Sequence, residues 1–354
     1  MRTRVAIIIV VSGLLLWSWP LASTKAQSPA PLRAKIVAHG EPVRVQLIPG
    51  LLLSLPLYVA ADEGMFAAHG LKPVLMALAT GPLGMQALAS GSIDIGGTGT
   101  DVIMTAYAKH ADIQVIVGMV KTNTNTIEVS NKVPLPHLKD GYPQVMQDIK
   151  GIVLGVSALG SSGELYARAA FSGAKIDPTT IHFLAVGSSV TAYPAILAGK
   201  IQGYMATEPM ITLCKIERTC ALVLDFRKGE GPEEIAKING ASLSFAAQRS
   251  YINQHPTVVG AFTEAIQDAI EWMQNPRNFD KLLGVAKSHI GLGSAPHPDV
   301  LLSTMVRDNL PYFGATISRP AIASLSNFLF ANKRIPTEVD PEKFVYSKAP
   351  QPTR

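Results

Sequence analysis

Two stretches of the chain repeat one local pattern at a fixed distance. In "ALASGSI" and "AILAGKI", Ala87, Gly91 and Ile93 match Ala195, Gly199 and Ile201, an offset of 199 − 91 = 108 residues. In each copy a helix is stopped by glycine and feeds a short apolar strand that leads to a threonine-containing loop. Around both copies short apolar runs alternate with helical patterns, which is the signature of a parallel α/β arrangement. "VRVQLI", "KPVLMAL", "IDIGG" and "IQVIVGMV" read as strands, with helices in "LPLYVAADEG", "GPLGMQALASG" and "DVIMTAYAK". The alternation breaks at "KTNTNTIEVS", which is polar and extended, with no helical period. It restarts with strands in "QDIKGIVLGVS", "IHFLAVG" and "KIQGYMATEP" and helices in "GSSGELYARAAFSG" and "SSVTAYPAILAG". A second extended crossover, "INGASLSFAAQRSYI", precedes mainly helical segments, the first starting at Pro256, a good N1 residue. The pattern predicts two α/β lobes joined by two crossover strands, in the chain order lobe 1, lobe 2, lobe 1.

The N-terminus, "MRTRVAIIIVVSGLLLWSWPLASTKAQ", has two arginines, an apolar run from Val5 to Trp19 and small residues at Thr24 and Ala26. It reads as a secretory signal peptide over residues 1–26, with cleavage near Ala26 and export to the periplasm. Removal of Arg2, Arg4 and Lys25 changes the net charge from +5 to 5 − 3 = +2, so nucleic acid is not an expected partner. The remaining chain exceeds one typical core, and 47% hydrophobic residues suffice for two. The expected organisation is a flexible leader over 27–42, lobe 1 over 43–126, lobe 2 over 127–242, a return to lobe 1 with bracing helices over 243–346, and a disordered tail over 347–354. The only cysteines, Cys214 and Cys220 in "LCKIERTC", are candidates for a small disulfide loop in an oxidising compartment. Two buried thiols are the alternative.

Chemical motifs are scarce. "LGVSALGSSGELYARAAF" places glycines and hydroxyls before a helix, where unpaired N–H groups suit an anion, but no lysine follows as a phosphate loop requires. There is no HExxH, CxxC or GxSxG motif and no close His/Cys cluster, so neither an enzyme, a metal nor a cofactor is expected. His69, in "AAHG", reads as a solvated histidine at a helix C-terminus, and Phe66 as a core residue.

"LPLYVAADEGMFAAHGL", "ALASGSIDIGGTGT", "DIKGIVLGVSALGSSG", "AYPAILAGKIQGYMATEP" and the helix from Pro256 occur in an order that resembles the nitrate, sulfonate and taurine binding-protein family of ABC importers. That family includes proteins similar to thiamine-pyrimidine-precursor synthases, whose cysteine-rich segment has no counterpart here. The resemblance spans roughly residues 43–335. It implies a two-lobe, type II periplasmic binding fold that closes on a small organic anion, alkanesulfonate-like or taurine-like, and delivers it to an ABC permease as a monomer. A periplasmic sensor for a membrane receptor is the alternative. "NKVPLPHLKDGYPQVM" is a longer approach to "DIKG" than the family pattern leads one to expect, and reads as a surface elaboration of lobe 2.

In open α/β sheets ligands sit beyond the carboxyl ends of strands, where helix N-termini converge. On lobe 1 this selects Ser54, Leu55, Thr80, Gly81, Thr98, Gly99 and Thr100. On lobe 2 it selects Ser157, Gly160, Ser161, Ser162, Gly187, Ser188 and Glu208, with Asn123 and Asn125 reaching from the crossover. Glu208 has a second reading as a structural carboxylate. Tyr58, Tyr107 and Tyr193 are candidates for a stacking wall, and Lys121 for pairing with the anion.

Overall fold

The computed structural model describes residues 36–292 and 295–353; the expected signal peptide lies outside them. The first set of apolar runs forms β1 (Pro42–Leu47), β2 (Lys72–Ala77), β3 (Ile95–Gly99) and β4 (Ile113–Val120). Between them lie α1 (Leu55–Asp62), α2 (Met65–Ala68), α3 (Gly81–Ala89) and α4 (Thr100–Ala108). The second set begins with β5 (Thr126–Ser130), β6 (Val153–Val156) and α5 (Ser162–Gly173). It continues through β7 (His182–Ala185), α6 (Ser189–Leu197), β8 (Gly203–Ala206), α7 (Met210–Glu217), β9 (Cys220–Asp225) and the short α8 (Glu233–Ala236). After β10 (Leu243–Gln248) the described chain is helical: α9 (Arg249–Gln254), α10 (Pro256–Gln274), α11 (Phe279–His289), α12 (Pro298–Asn309), α13 (Arg319–Ala331) and α14 (Pro341–Phe344).

Two five-stranded mixed sheets result, with orders β2-β1-β3-β10-β4 and β7-β6-β8-β5-β9. They are the same design, each parallel except where a strand arriving from the other lobe inserts. β10 runs antiparallel between β3 and β4, and β5 runs antiparallel between β8 and β9. The two crossovers are therefore sheet strands for much of their length. The chain changes lobe only over 121–125 and 239–242, just before β5 and β10 begin. The 108-residue repeat has a conformational counterpart: Gly91 and Gly199 both hold φ of +73°, the left-handed end of a helix that glycine adopts without strain. The isoleucines that follow, Ile93 and Ile201, are buried.

α10 is the brace that its periodicity implies. Val259, Phe262, Ile266, Ala269 and Ile270 are buried, and Phe262 stacks on Phe66 at 5.8 Å, which places Phe66 in the core. The later helices serve both lobes rather than lobe 1 alone. In α13, Phe328 stacks on Tyr166 of α5 at 6.4 Å, and Asn309 of α12 donates to Glu208 beyond β8 at 3.0 Å. Neither end of the described chain is loose. Ala38 N donates to His69 O at 2.9 Å, which docks the last part of the expected leader. Ile317 N donates to Pro350 O at 2.8 Å and Ala349 is buried, so the stretch expected to fray is anchored. Cys214 and Cys220 form a disulfide with Cα atoms 5.0 Å apart, tying the end of α7 to edge strand β9. The Pro-rich elaboration before β6 is held to lobe 2 by buried Val145 and Met146. Among the described residues no helix is long and apolar enough to cross a membrane.

Candidate functional site

Both sheets point the carboxyl ends of their parallel strands at one cleft between the lobes, a cavity of about 110 Å³. Four helices begin on it, with N-caps Thr80 (α3), Gly99 (α4), Ser161 (α5) and Ser188 (α6) all in its lining. Their first-turn N–H groups and dipoles make the centre of the cleft favourable for negative charge. Ten hydroxyl side chains line it: Thr80, Thr98, Thr124, Ser157, Ser161, Ser162, Ser188, Ser189, Tyr204 and Thr207. Among the described residues no charged side chain does. Ile48, Leu51, Leu53, Val102, Met205 and Leu243 supply an apolar wall.

The hydroxyls differ in what they have left to offer. Thr80 Oγ1 accepts from Leu83 N at 3.4 Å and Ser161 Oγ accepts from Glu164 N at 3.5 Å, so both keep their protons while capping. Ser188 makes no side-chain cap bond, and Thr124 Oγ1 is buried without a partner. Ser189 Oγ and Thr207 Oγ1 bond to each other at 3.1 Å. Tyr204 Oη donates to Gly187 O at 2.8 Å, and burial pushes its pKa up, so it stays protonated. Ser162 Oγ donates across the lobes to Asp101 Oδ1 at 2.6 Å. Asp101 is buried at the start of α4, and desolvation pushes its pKa up to about 6. Gly99 permits this bridge, because a Cβ there would collide with both Ser162 Oγ and Asp101 Oδ1. Gly81 is likewise required, since a Cβ would run into Thr98 Oγ1.

Of the sequence-selected positions, the cleft brings together Thr80, Gly81, Thr98, Gly99, Asn125, Ser157, Ser161, Ser162 and Ser188. The other seven lie off its lining. Leu55 is core, fully buried in lobe 1. Thr100 Oγ1 is paired with Ser244 Oγ at 2.8 Å and buried between β10 and α4. Ser54 gives its hydroxyl to Ile48 O at 2.8 Å and borders a smaller cavity behind the cleft. Asn123 braces the hinge, accepting from the Asn125 side chain at 2.6 Å and donating its backbone N–H to Asn239 Oδ1 at 3.1 Å. Gly187 serves through its carbonyl, holding Tyr204, and Gly160 borders a neighbouring groove. Glu208 is the structural carboxylate: Thr212 N, Thr212 Oγ1 and Asn309 Nδ2 each donate to it at 3.0 Å.

The proposed aromatic wall is not formed by the residues selected for it. Tyr58 stacks on His289 at 4.1 Å, Tyr107 packs edge-on against Phe344, and Tyr193 Oη bonds to Thr219. Tyr204 is the aromatic residue in the lining. His69 is buried rather than solvated, held by Ile36 O at 2.8 Å and Asp268 Oδ2 at 2.9 Å. Lys121 is exposed at the hinge, outside the lining. A residue that sequence reasoning missed, Gln46, positions the site from below. Its Oε1 accepts from Gly97 N at 3.1 Å and its Nε2 donates to Thr80 O at 3.2 Å, joining β1, β3 and the start of α3. The signal for it was a lone amide in the apolar run "VRVQLI".

Two duplicated α/β lobes, crossing strands and a polar cleft at convergent helix N-termini define the two-lobe, type II periplasmic-binding-protein fold. More specifically, the chain belongs to the NMT1/THI5-like family, whose model matches residues 53–278. Its fold is similar to that of the alkanesulfonate-binding protein SsuA from Xanthomonas axonopodis pv. citri bound to MOPS, with TM-score 0.70 and 17% identity over 88% of this chain and 99% of that one. It is also similar to the periplasmic nitrate-binding protein NrtA from Synechocystis PCC 6803, with TM-score 0.65 and 14% identity over 85% of this chain and 84% of that one. A Brucella abortus (strain 2308) protein that carries a binding-protein name is 28% identical over 155 residues, 41% of this chain. That match spans 44% of the Brucella protein's length.

Proposed function

We propose that this protein is the exported solute-binding component of an ABC importer, which captures a small organic anion between its lobes and passes it to a membrane permease. An alkanesulfonate or taurine-like compound is the first choice. The carrying observation is the lining of the cleft: among the described residues, four helix N-termini and ten hydroxyls, with no charged side chain. Such a site favours an oxyanion through N–H and O–H donors while avoiding the tight grip of a buried cation, which suits a ligand that must be released. The apolar wall suits a short hydrocarbon attached to the anionic head. The ligands in the names of the two fold neighbours, a sulfonate and nitrate, are oxyanions of this kind. Among the described residues the lining offers hydroxyls and side-chain amides, donors suited to holding an anion.

A thermal-shift screen of the purified, ligand-free protein tests this against sulfonates, carboxylates, nitrate, bicarbonate, pyrimidines and amines. A ligand at about a hundred times its Kd adds ~2.7 kcal/mol, a shift of several degrees. The expected result is a shift with oxyanions and none with amines. A folded protein that responds to amines or to neutral pyrimidines but to no anion would refute the reading.

A further inference from the structure

Beside the cleft runs a second cavity of about 380 Å³, in the valley between α3 and α4 and under the loop that leads into α5. Pro82 and Val102, at the starts of the two helices, line both cavities, so the valley adjoins the cleft. From there to Ala89 and Lys109 each helix advances seven residues, a distance of ~10 Å. Met85 contributes to the apolar floor, and Leu159 of lobe 2, 61% exposed, overhangs it. Among the described residues the charged groups lining the valley are Lys109 and Arg334, both cations; the buried carboxylate of Asp101, outside the lining, lies within electrostatic reach of Arg334. Among the described residues neither cation forms an ion pair. Arg334 extends from beyond α13 towards Gly160, with Nη2 3.8 Å from where a Cβ on that glycine would stand.

We propose that this valley is an extension of the ligand site, taking the hydrocarbon body of an organic anion whose head sits in the cleft and whose far end carries a second acidic group, paired with Arg334 and Lys109. The inference rests on the oxyanion reading of the cleft. The shared border at Pro82 and Val102 and the cationic charge lining the valley argue for that occupant. The neutral cleft then binds the head and the valley selects for length and a terminal charge. The substrate class becomes a sulfonated or carboxylated alkyl chain with acidic groups at both ends.

Calorimetry with ethanesulfonate, hexanesulfonate and hexanesulfonate bearing a terminal carboxylate tests it. Hexanesulfonate is expected to bind about tenfold more tightly than ethanesulfonate, from burial of its added methylenes. The terminal carboxylate should tighten binding by about a further tenfold, and Arg334→Gln should abolish that second gain. Leu159→Ser, at an exposed side chain, should reduce the length effect without altering ethanesulfonate affinity. If all three sulfonates bind alike, or Arg334→Gln leaves the carboxylate gain intact, the valley is not part of the site although the oxyanion reading stands. If none of the three binds, the cleft reading is at fault and the extension falls with it.

Discussion

Glu128 provides a direct test of how lobe 2 is held together. It lies on β5, buried, with Thr126 Oγ1 donating to Oε1 at 3.1 Å. The charged groups around it are Arg227, Glu208 and Asp225, and Lys215, Lys228 and Asp308 border the same cavity. Arg227 is already committed: its Nε and Nη2 each donate to Asp225 at 2.8 Å, and its Nη1 stands 4.0 Å from Glu208 Oε1. Lys228 Nζ also stands 3.7 Å from Asp225 Oδ2, so both cations are spent on Asp225 and, among the described residues, none is paired with Glu128. Desolvation first, then repulsion from Glu208 and Asp225, raises the Glu128 pKa from 4.5 to about 8, against lowering by Thr126 and Arg227. Below pH 4.5 the folded and unfolded states both carry the proton, and no penalty arises. Between pH 4.5 and about 8 only the folded state holds it, so stability falls as pH rises, and the loss is complete above about 8. At ~1.4 kcal/mol for each tenfold change in proton affinity, the ceiling is ~5 kcal/mol. Glu128→Gln keeps the shape and the acceptor for Thr126 while removing the ionisation. The assay is thermal and urea unfolding of both proteins from pH 5 to pH 9. The curves should nearly meet at pH 5 and diverge steadily, with the variant more stable at pH 9 by ~2–5 kcal/mol, or several degrees in Tm. Parallel curves would show that Glu128 ionises normally and that the burial argument is wrong.

Three further outcomes follow from the cleft. Ser188→Ala, at an N-cap whose hydroxyl makes no cap bond, should weaken anion binding by about fivefold in calorimetry and leave Tm almost unchanged. Gly99→Ala carries no backbone penalty, because φ there is −55°, yet its Cβ would drive Ser162 and Asp101 apart; scattering should show a wider separation of the lobes, with affinity at least about tenfold lower. Asp101 is raised to about 6, so below that pH its carboxyl can donate to Ser162 and free the serine proton for a ligand; affinity measured from pH 5 to pH 8 should rise on acidification, and Asp101→Asn should abolish the trend.

What the sequence shows and what it hides divides along the range of the interactions involved. The strands and helices of both lobes, and the stops at Gly91 and Gly199, are set by local periodicity and by glycine's access to positive φ, so they are legible. The placement of β5 and β10 inside the opposite sheets is a long-range pairing that local patterns do not encode. N-caps on the cleft are legible because the fold class dictates where helices start, which is how Thr80, Ser161 and Ser188 were found. The repeat could have added one more: Thr207 stands 207 − 99 = 108 residues after Gly99, the same offset that relates Thr80 to Ser188. Glu208 illustrates the limit. Thr212, four residues on, holds its carboxylate locally, but the third donor, Asn309, arrives 101 residues later, and no local pattern announces it.

The hinge explains why so much rests on a few contacts between the lobes. The two connecting segments are joined to each other by Gly240 N donating to Lys121 O at 2.7 Å and Asn123 N donating to Asn239 Oδ1 at 3.1 Å. Along the same segments Thr122 Oγ1, Asn123 Nδ2, Thr124 Oγ1 and Ser242 Oγ are buried without protein partners. Side-chain bonds between the two connecting segments are therefore few, and the lobe angle is held instead by the helices that span both lobes, with Asn309 on Glu208 and Phe328 on Tyr166. At the cleft itself Ser162 and Asp101 supply one charge-assisted bond across the lobes, to which, on the proposed function, a ligand adds its own. Each neutral donor contributes ~0.5–1.5 kcal/mol, whereas micromolar binding needs ~8 kcal/mol, so donors from both lobes must act together. A ligand that reaches Thr80 and Thr98 but not Ser161 or Ser188 gains nothing from closure and cannot shift the population towards it. On the proposed function, selectivity for transport would therefore reside in the contacts made on lobe 2, although most of the apolar wall belongs to lobe 1.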